Sequence, residues 1–233
     1  MEDMKYITKI FILCMLLASN VFLFAQTKPF MFRASETDNK VTKQTINRKA
    51  EKYFIMGDNA YRNQNYNQAI ENYNQAISIS PNYFDAYYGL ADVYYEDKNY
   101  NKAIDCLKKA ISIDSTVAET YYNLGYAYYE MKNYEQAIDC YKKAISINPN
   151  IDEAYYNLGN VYGEIKNYKQ GIDCLKKAIS INPNIVTADV YIYLGFMYYE
   201  TKNHDQAFDC YKKAARLGDK GVQNYLKENG ISW

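Results

Sequence analysis

One histidine, His204, is the first residue to consider for catalysis, because it is the only imidazole in the chain. Catalytic triads need a serine or cysteine nucleophile beside a histidine base that a third group orients. His204 stands where comparable segments of the chain have tyrosine, at Tyr66, Tyr100, Tyr134 and Tyr168. We therefore interpret His204 as a packing residue that varies between segments. The sequence also has no glycine-rich loop of the kind that holds phosphates.

Four of the five cysteines recur at one position of a repeating pattern. They are Cys106, Cys140, Cys174 and Cys210. None belongs to a Cys-x-x-Cys pair, so zinc-site spacing is absent. Equivalent positions on packed helices lie roughly 8–10 Å apart, whereas the two Cα atoms of a disulfide must lie within about 7 Å. The spacing therefore predicts four free thiols beside a hydrophobic core.

The repeating pattern is a tyrosine-rich segment followed at a fixed distance by Ile-Asp-Cys or Phe-Asp-Cys. Ala91, Gly125 and Gly159 are 34 residues apart, Gly195 follows after 36, and a fainter copy places Gly57 34 residues before Ala91. A period of this length is typical of stacked helical units rather than of one compact core.

The unit over residues 118–151 predicts a helical hairpin. Its first helix has one apolar face with i, i+3, i+4 and i+7 spacing, formed by Tyr121, Leu124, Gly125 and Tyr128. Its second helix carries Tyr134, Ala137, Ile138, Tyr141, Ala144 and Ile145 on one side. Between them we expect a left-handed turn at Asn133. Pro149 ends the second helix, and the small residues Gly125 and Ala137 allow the two helices to approach closely.

This run of aromatic, Leu, Gly, Tyr, Ala, aromatic, Ala and Pro resembles the tetratricopeptide repeat. The resemblance implies an all-α, right-handed α-solenoid of five helix-turn-helix repeats with a C-terminal capping helix. The repeats cover residues 50–83, 84–117, 118–151, 152–185 and 188–221, and the capping helix and tail cover 222–233. A terminal helix of this kind shields the open end of a stack.

Two departures from the repeat pattern are informative. Val186 and Thr187 are extra residues between the fourth and fifth units, and Gly171 replaces an alanine. Because glycine inside a helix costs roughly 0.5–1 kcal/mol relative to alanine, we expect the fourth unit to be softer and Gly171→Ala to raise the melting temperature.

The resemblance also implies that first helices line an inner, concave groove, whereas second helices face outward and carry lysine pairs such as Lys108-Lys109. Aromatic rings with carboxylates suit a peptide or protein that bears basic and apolar side chains. We predict partner binding by Tyr88, Asp92, Tyr95, Glu96, Tyr122, Tyr126, Tyr129, Glu130, Tyr156, Asn160, Glu164 and Tyr199. The alternative is a solvated face on which tyrosines pack together. Of the family's clamp for C-terminal carboxylates, only Asn123 is present, so chaperone-tail binding is not expected.

The charge balance gives no reason to expect nucleic acid as a partner, because 27 basic residues offset 27 acidic ones. We expect a non-catalytic interaction scaffold or adaptor with no cofactor and no metal. The alternative is a structural role, in which the repeats associate with themselves or with an envelope complex.

Residues 1–25 differ in kind from the repeats. An apolar run covers Ile10 to Phe24, and the small residue Ala25 follows it. This resembles a secretory signal, and a membrane anchor formed by residues 7–25 is the alternative. Residues 26–48 are polar and aperiodic, which predicts a flexible linker. We therefore expect an exported protein, periplasmic or secreted, in which free cysteines would be unusual.

Overall fold

A computed structural model describes residues 48–233, and the regular elements in that range are all helices. The predicted signal, its anchor alternative and the linker up to residue 47 lie outside the described residues. Arg48, the last residue assigned to the linker, instead begins the first helix. Between residues 48 and 233, no helix combines the length and the apolar character needed to cross a bilayer. The described chain forms two compact units, residues 48–149 and residues 150–233.

The first unit consists of three helical hairpins. Its helices are α1 Arg48–Arg62, α2 Tyr66–Ile79, α3 Phe84–Glu96, α4 Tyr100–Ile113, α5 Ala118–Glu130 and α6 Tyr134–Ile147. Within each hairpin the two helices pack along their length, and α2 and α4 also pack against the first helix of the following hairpin. Each hairpin therefore buries its apolar face partly within itself and partly against its neighbour.

The second unit consists of two hairpins and a last helix. Its helices are α7 Asp152–Glu164, α8 Tyr168–Ile181, α9 Ala188–Glu200, α10 His204–Arg216 and α11 Lys220–Glu228. A 3₁₀ turn over Pro183–Ile185 lengthens the connection from α8 to α9, next to the two extra residues. Helix α11 buries Val222 and Leu226 against the hairpin before it, as a capping helix should.

Three-residue turns connect the two helices of every hairpin, and the last residue of each turn, directly before the second helix, is asparagine. In the first unit, the side chain of Asn99 accepts a hydrogen bond from the Lys102 amide at 3.4 Å, which caps α4. The left-handed residue of the turn over 131–133 is Lys132, with φ of 58°. The prediction of a left-handed Asn133 was therefore wrong by one residue, because Asn133 has φ of −88° as the residue before α6.

Small residues on the first helices make room for large residues on the second helices. A Cβ atom added to Gly125 would lie 2.9 Å from the ring of Tyr141, which is fully buried. The predicted close approach of α5 and α6 at Gly125 is thus confirmed.

The space around Gly171 argues against the expectation that alanine would be better there. A Cβ atom at this position would lie 2.7 Å from the Met197 sulfur and 3.1 Å from the carbonyl oxygen of Gly159. Met197 is fully buried, so its side chain has little room to move aside. Neighbouring atoms therefore occupy the space that an alanine methyl group would need, and we infer that glycine is favoured at this position for packing.

Three of the cysteines are free thiols that contribute to the core clusters, as expected: Cys106, Cys140 and Cys210. Burial is the main reason that the pKa of Cys106 rises to about 11 and that of Cys140 to about 12. They behave as small apolar residues at neutral pH.

Candidate functional site

A connected set of tyrosine rings lies on the first helices of the first unit and at the start of the second helices. We call it the ring network, and its members are Tyr95, Tyr100, Tyr126, Tyr129 and Tyr134. Tyr95 lies with its ring centroid 5.4 Å from Tyr100 and 5.3 Å from Tyr126. Tyr126 continues to Tyr129 at 6.4 Å, and Tyr129 to Tyr134 at 6.0 Å. These separations fall in the range of favourable aromatic pairs.

Glu130 lies at the edge of the ring network. The Tyr100 hydroxyl donates to its Oε2 atom at 3.4 Å, and the Tyr126 hydroxyl is a second donor. Burial raises the pKa of Glu130, while these two hydrogen bonds act in the opposite direction. The site therefore combines half-buried rings with a carboxylate whose position is fixed by phenol hydroxyls.

The structure places three of the predicted site residues beneath the surface rather than on it. Asp92 is 7% exposed, Tyr122 8% and Tyr126 6%. Tyr88 is half-buried, and its hydroxyl accepts a hydrogen bond from the Asn123 amide at 2.6 Å. In the first unit, the predicted residues with accessible side chains are thus Tyr88, Tyr95, Glu96, Tyr129 and Glu130.

Asp92 belongs to a second cluster, between α1 and α3, which we call the acidic cluster: Asp58, Asp92 and Glu96. The Tyr73 hydroxyl donates to Asp58 Oδ1 at 2.7 Å, whereas Asp92 Oδ1 has no hydrogen-bond partner among the described residues. Burial first, and then the charges of Asp58 and Glu96, raise the pKa of Asp92 well above its usual value. Asp58 was not among the predicted site residues, although its position 34 residues before Asp92 could have identified it.

In the second unit the predicted residues do not form one cluster. Tyr156 is largely buried and forms a hydrogen bond with Asn160, whose Oδ1 atom has no partner in the described structure. Tyr199 instead packs edge-to-face on His204, with 5.0 Å between ring centroids. Glu164 is exposed. His204 is exposed and packs on Tyr199, which agrees with a packing role.

The described part of the chain contains no group of three His, Cys, Asp or Glu side chains that could hold a metal ion. The first unit contains the ring network with Glu130 and, separately, the acidic cluster.

Stacked two-helix units of this kind define an all-α solenoid of the helical-repeat class. Family models described as tetratricopeptide repeat match residues 118–151, 152–185 and 188–220. A further model, described as TPR repeat, matches residues 57–98 and 91–132. The chain therefore belongs to the tetratricopeptide repeat family.

Solved structures agree with this assignment. A crystal structure of MamA is 31% identical and aligns over 72% of this chain and 97% of that one, with a TM-score of 0.66. A second MamA structure is 28% identical over 80% of this chain and 98% of that one, with a TM-score of 0.68. YrrB, a TPR protein with an unusual peptide-binding site, has the same fold at 21% identity, covering 78% and 94%, with a TM-score of 0.67. The search of curated proteins found no match. The family and the fold support a protein–protein interaction scaffold.

Proposed function

We propose that the protein is a non-catalytic scaffold that binds a peptide or protein partner on the ring network and Glu130 of its first unit. The observation that carries the proposal is the connected set of half-buried tyrosine rings around one positioned carboxylate. Tyrosine supplies a large, rigid contact area together with a polar hydroxyl, and it is enriched among residues that dominate binding energies.

The ring network is partly rigid before any partner arrives. Tyr126 is buried and contacts both Tyr95 and Tyr129. Because neighbouring rings already restrict each other, binding has less side-chain freedom to remove. A partner would therefore gain aromatic contact at Tyr95 and Tyr129 at a low entropic cost.

The carboxylates add a preference for positive charge. Glu130 is half-buried at the edge of the rings, and the exposed Glu96 lies one residue after Tyr95. A cation beside a tyrosine ring gains about 0.5–2 kcal/mol, and a carboxylate beside the same ring adds to this attraction. A segment with lysine or arginine next to an apolar side chain fits these features.

The second unit supports a separate and smaller contact surface, for which the candidate residues are Tyr156, Asn160, Glu164 and Tyr199. Glu164 is exposed and Tyr199 is half-buried, so these two side chains would supply most of the contact, whereas the Asn160 Oδ1 atom is enclosed by the protein. We treat this surface as independent of the ring network.

The test begins with capture of a partner by the immobilised protein and its identification by mass spectrometry. Binding of that partner is then measured for Tyr129→Ala, for Glu130→Gln and for Lys109→Ala, an exposed control on α4. We expect Tyr129→Ala to weaken binding about tenfold or more. Glu130→Gln should weaken it less and reduce its salt dependence, and the control should bind like the wild type.

Equal binding by Tyr129→Ala and the wild type, with unchanged circular dichroism, would contradict the proposal. Light scattering of the purified protein tests the alternative of self-association, which needs no partner. Oligomers that form in the wild type and in Tyr129→Ala alike would place self-association elsewhere on the molecule.

A further inference from the structure

We propose that the acidic cluster of the first unit is a binding site for one protonated primary amine, the side chain of a lysine in the partner. The inference deepens the proposed function and rests on it, because it names a chemical group that the partner should carry. The acidic cluster lies on α1 and α3, whereas the ring network lies on α3 to α6.

The first argument is a buried hydrogen-bond acceptor that has no donor. Asp92 is more than nine-tenths buried, and its Oδ1 atom has no partner among the described residues. Buried carboxylate oxygens are normally hydrogen-bonded, and an orphan requires an explanation. A donor that arrives with a ligand is one such explanation.

The second argument is the sign of the surrounding charge. The charges that act most strongly on Asp92 are those of Asp58 and Glu96, and both oppose its ionisation. Arg62 acts on Asp58, four residues earlier on the same helix, and its side chain is exposed. Asp58 and Glu96 thus both add negative charge around Asp92, and a cation beside them would relieve the repulsion.

The third argument is that the cluster is held in place. Tyr73 donates its hydroxyl to Asp58 at 2.7 Å. The ring of Tyr73 is fixed because it fills the space that side chains at Gly57 and Gly89 would occupy, with distances of 2.6 Å to an added Cβ at each. Burial raises the pKa of the Tyr61 hydroxyl, and Glu96 is near enough to raise it further. The Tyr73 hydroxyl therefore holds Asp58 in place, and Asp92 remains the inner acceptor.

The chemistry selects an ammonium group over a metal ion. Asp58, Asp92 and Glu96 are not arranged as a set of metal ligands, and neither is any other group of three His, Cys, Asp or Glu side chains within residues 48–233. A lysine ammonium has three donors that can reach separate acceptors. It would enter beside the exposed Glu96 and the half-buried Asp58. Because Asp92 Oδ1 is enclosed by the protein, the Asp92 carboxyl must turn toward this entrance to accept the hydrogen bond.

The experiment is a titration of the full chain with Nα-acetyl-lysine N-methylamide, followed by carbon-detected NMR of labelled aspartate and glutamate carboxyl groups. The Nε-acetylated form of the same compound is the ligand control. Asp92→Asn assigns the Asp92 signal and removes the inner acceptor. Asp105→Asn, an exposed site on α4, is the matched control variant.

We expect saturable movement of the Asp92 signal toward its ionised position with the lysine amide and none with the acetylated form. Affinity should fall about tenfold or more in Asp92→Asn, as for the loss of a charge-assisted hydrogen bond, and should be unchanged in Asp105→Asn. Glu96→Gln, at an exposed position, should weaken binding less. This second variant keeps the test valid if Asp92→Asn alters the fold.

Three results would overturn the proposed lysine site: no saturable shift of the Asp92 signal, an equal response to the acetylated compound, or an equal shift with calcium chloride. The outcome is separable from that of the proposed function. If the lysine amide does not bind but partner capture still depends on Tyr129, only the proposal of a lysine site is wrong. If it binds at Asp92 but capture is insensitive to Tyr129→Ala, the ring-network proposal is wrong.

Discussion

Gly171 and Met197 form a size-matched pair between α8 and α9, so Gly171→Ala should destabilise the protein although alanine is the better helix former. The added Cβ would lie 2.7 Å from the Met197 sulfur and 3.1 Å from the Gly159 carbonyl oxygen. Overpacking of a core typically costs about 1–3 kcal/mol. The gain in helix propensity is about 0.5–1 kcal/mol. The expected net effect is a loss of about 1 kcal/mol in the free energy of unfolding.

The same position in the first unit shows how the clash can be relieved. There Ala103 stands in place of Gly171, and Ala127 stands in place of Met197, both fully buried. Met197→Val alone should leave unfilled space and cost about 1–2 kcal/mol. In the double variant, the new methyl group fills part of that space. Its loss of stability should therefore be smaller than the sum of the single losses by about 1 kcal/mol.

The assay is urea unfolding of the four proteins of this double-mutant cycle, followed by far-UV circular dichroism. Gly221→Ala, at an exposed position in the first turn of α11, serves as the helix-propensity control. Its added Cβ would lie 3.3 Å from the Asp219 Oδ1 atom, at the protein surface, and not against a buried side chain or a backbone oxygen, so the change should stabilise slightly. A higher midpoint for Gly171→Ala than for the wild type, or strictly additive effects in the cycle, would refute the argument from packing.

Three further predictions concern burial and backbone strain. Asp92→Asn should raise the free energy of unfolding at neutral pH. The pKa of Asp92 is raised in the folded state, so the wild type loses stability as the pH rises from the unfolded-state pKa through the folded-state pKa, whereas asparagine does not ionise. Thermal melts should show that the gain vanishes near pH 3, and a gain independent of pH would contradict this. Lys132→Gly should stabilise the protein by up to about 1 kcal/mol, because the backbone of Lys132 is in the left-handed region. Met131→Gly is the control: Met131 has φ of −82°, so this change should destabilise the protein in chemical unfolding. Equal effects of the two changes would contradict the prediction. Cys140, with its pKa raised to about 12, should react slowly with a thiol reagent at pH 8 and rapidly in denaturant. Fast reaction in the native state would show that the Cys140 thiol is not buried.

The helices and their pairing could be predicted from the sequence because their signals are local. The spacing of Tyr121, Leu124 and Tyr128 defines one face of a helix, and Pro149 marks where the next helix must have ended. The expectation for Gly171 overlooked a contact that is not local. Its decisive neighbour, Met197, belongs to the next hairpin, and a single repeat considered alone does not contain it.

The candidate site shows the same division. The sequence placed Asp92 and Tyr126 on first helices, and the structure agrees. It could not predict their depth, because burial depends on which side of the helix the adjacent hairpin covers. The link between Asp58 and Asp92 also lay beyond a reading of one unit, since the acidic cluster forms only where equivalent positions of adjacent repeats meet.

The fit between Gly125 and the Tyr141 ring has a consequence for how such a chain can diversify. In the preceding hairpin the corresponding residues are Ala91 and Leu107, both buried in one cluster. Copying Tyr141 alone into that hairpin would drive a phenol ring against a methyl group, whereas copying the whole hairpin would carry its own glycine along. We therefore expect the fold to tolerate duplication of a whole hairpin better than the copying of single core residues between neighbouring hairpins.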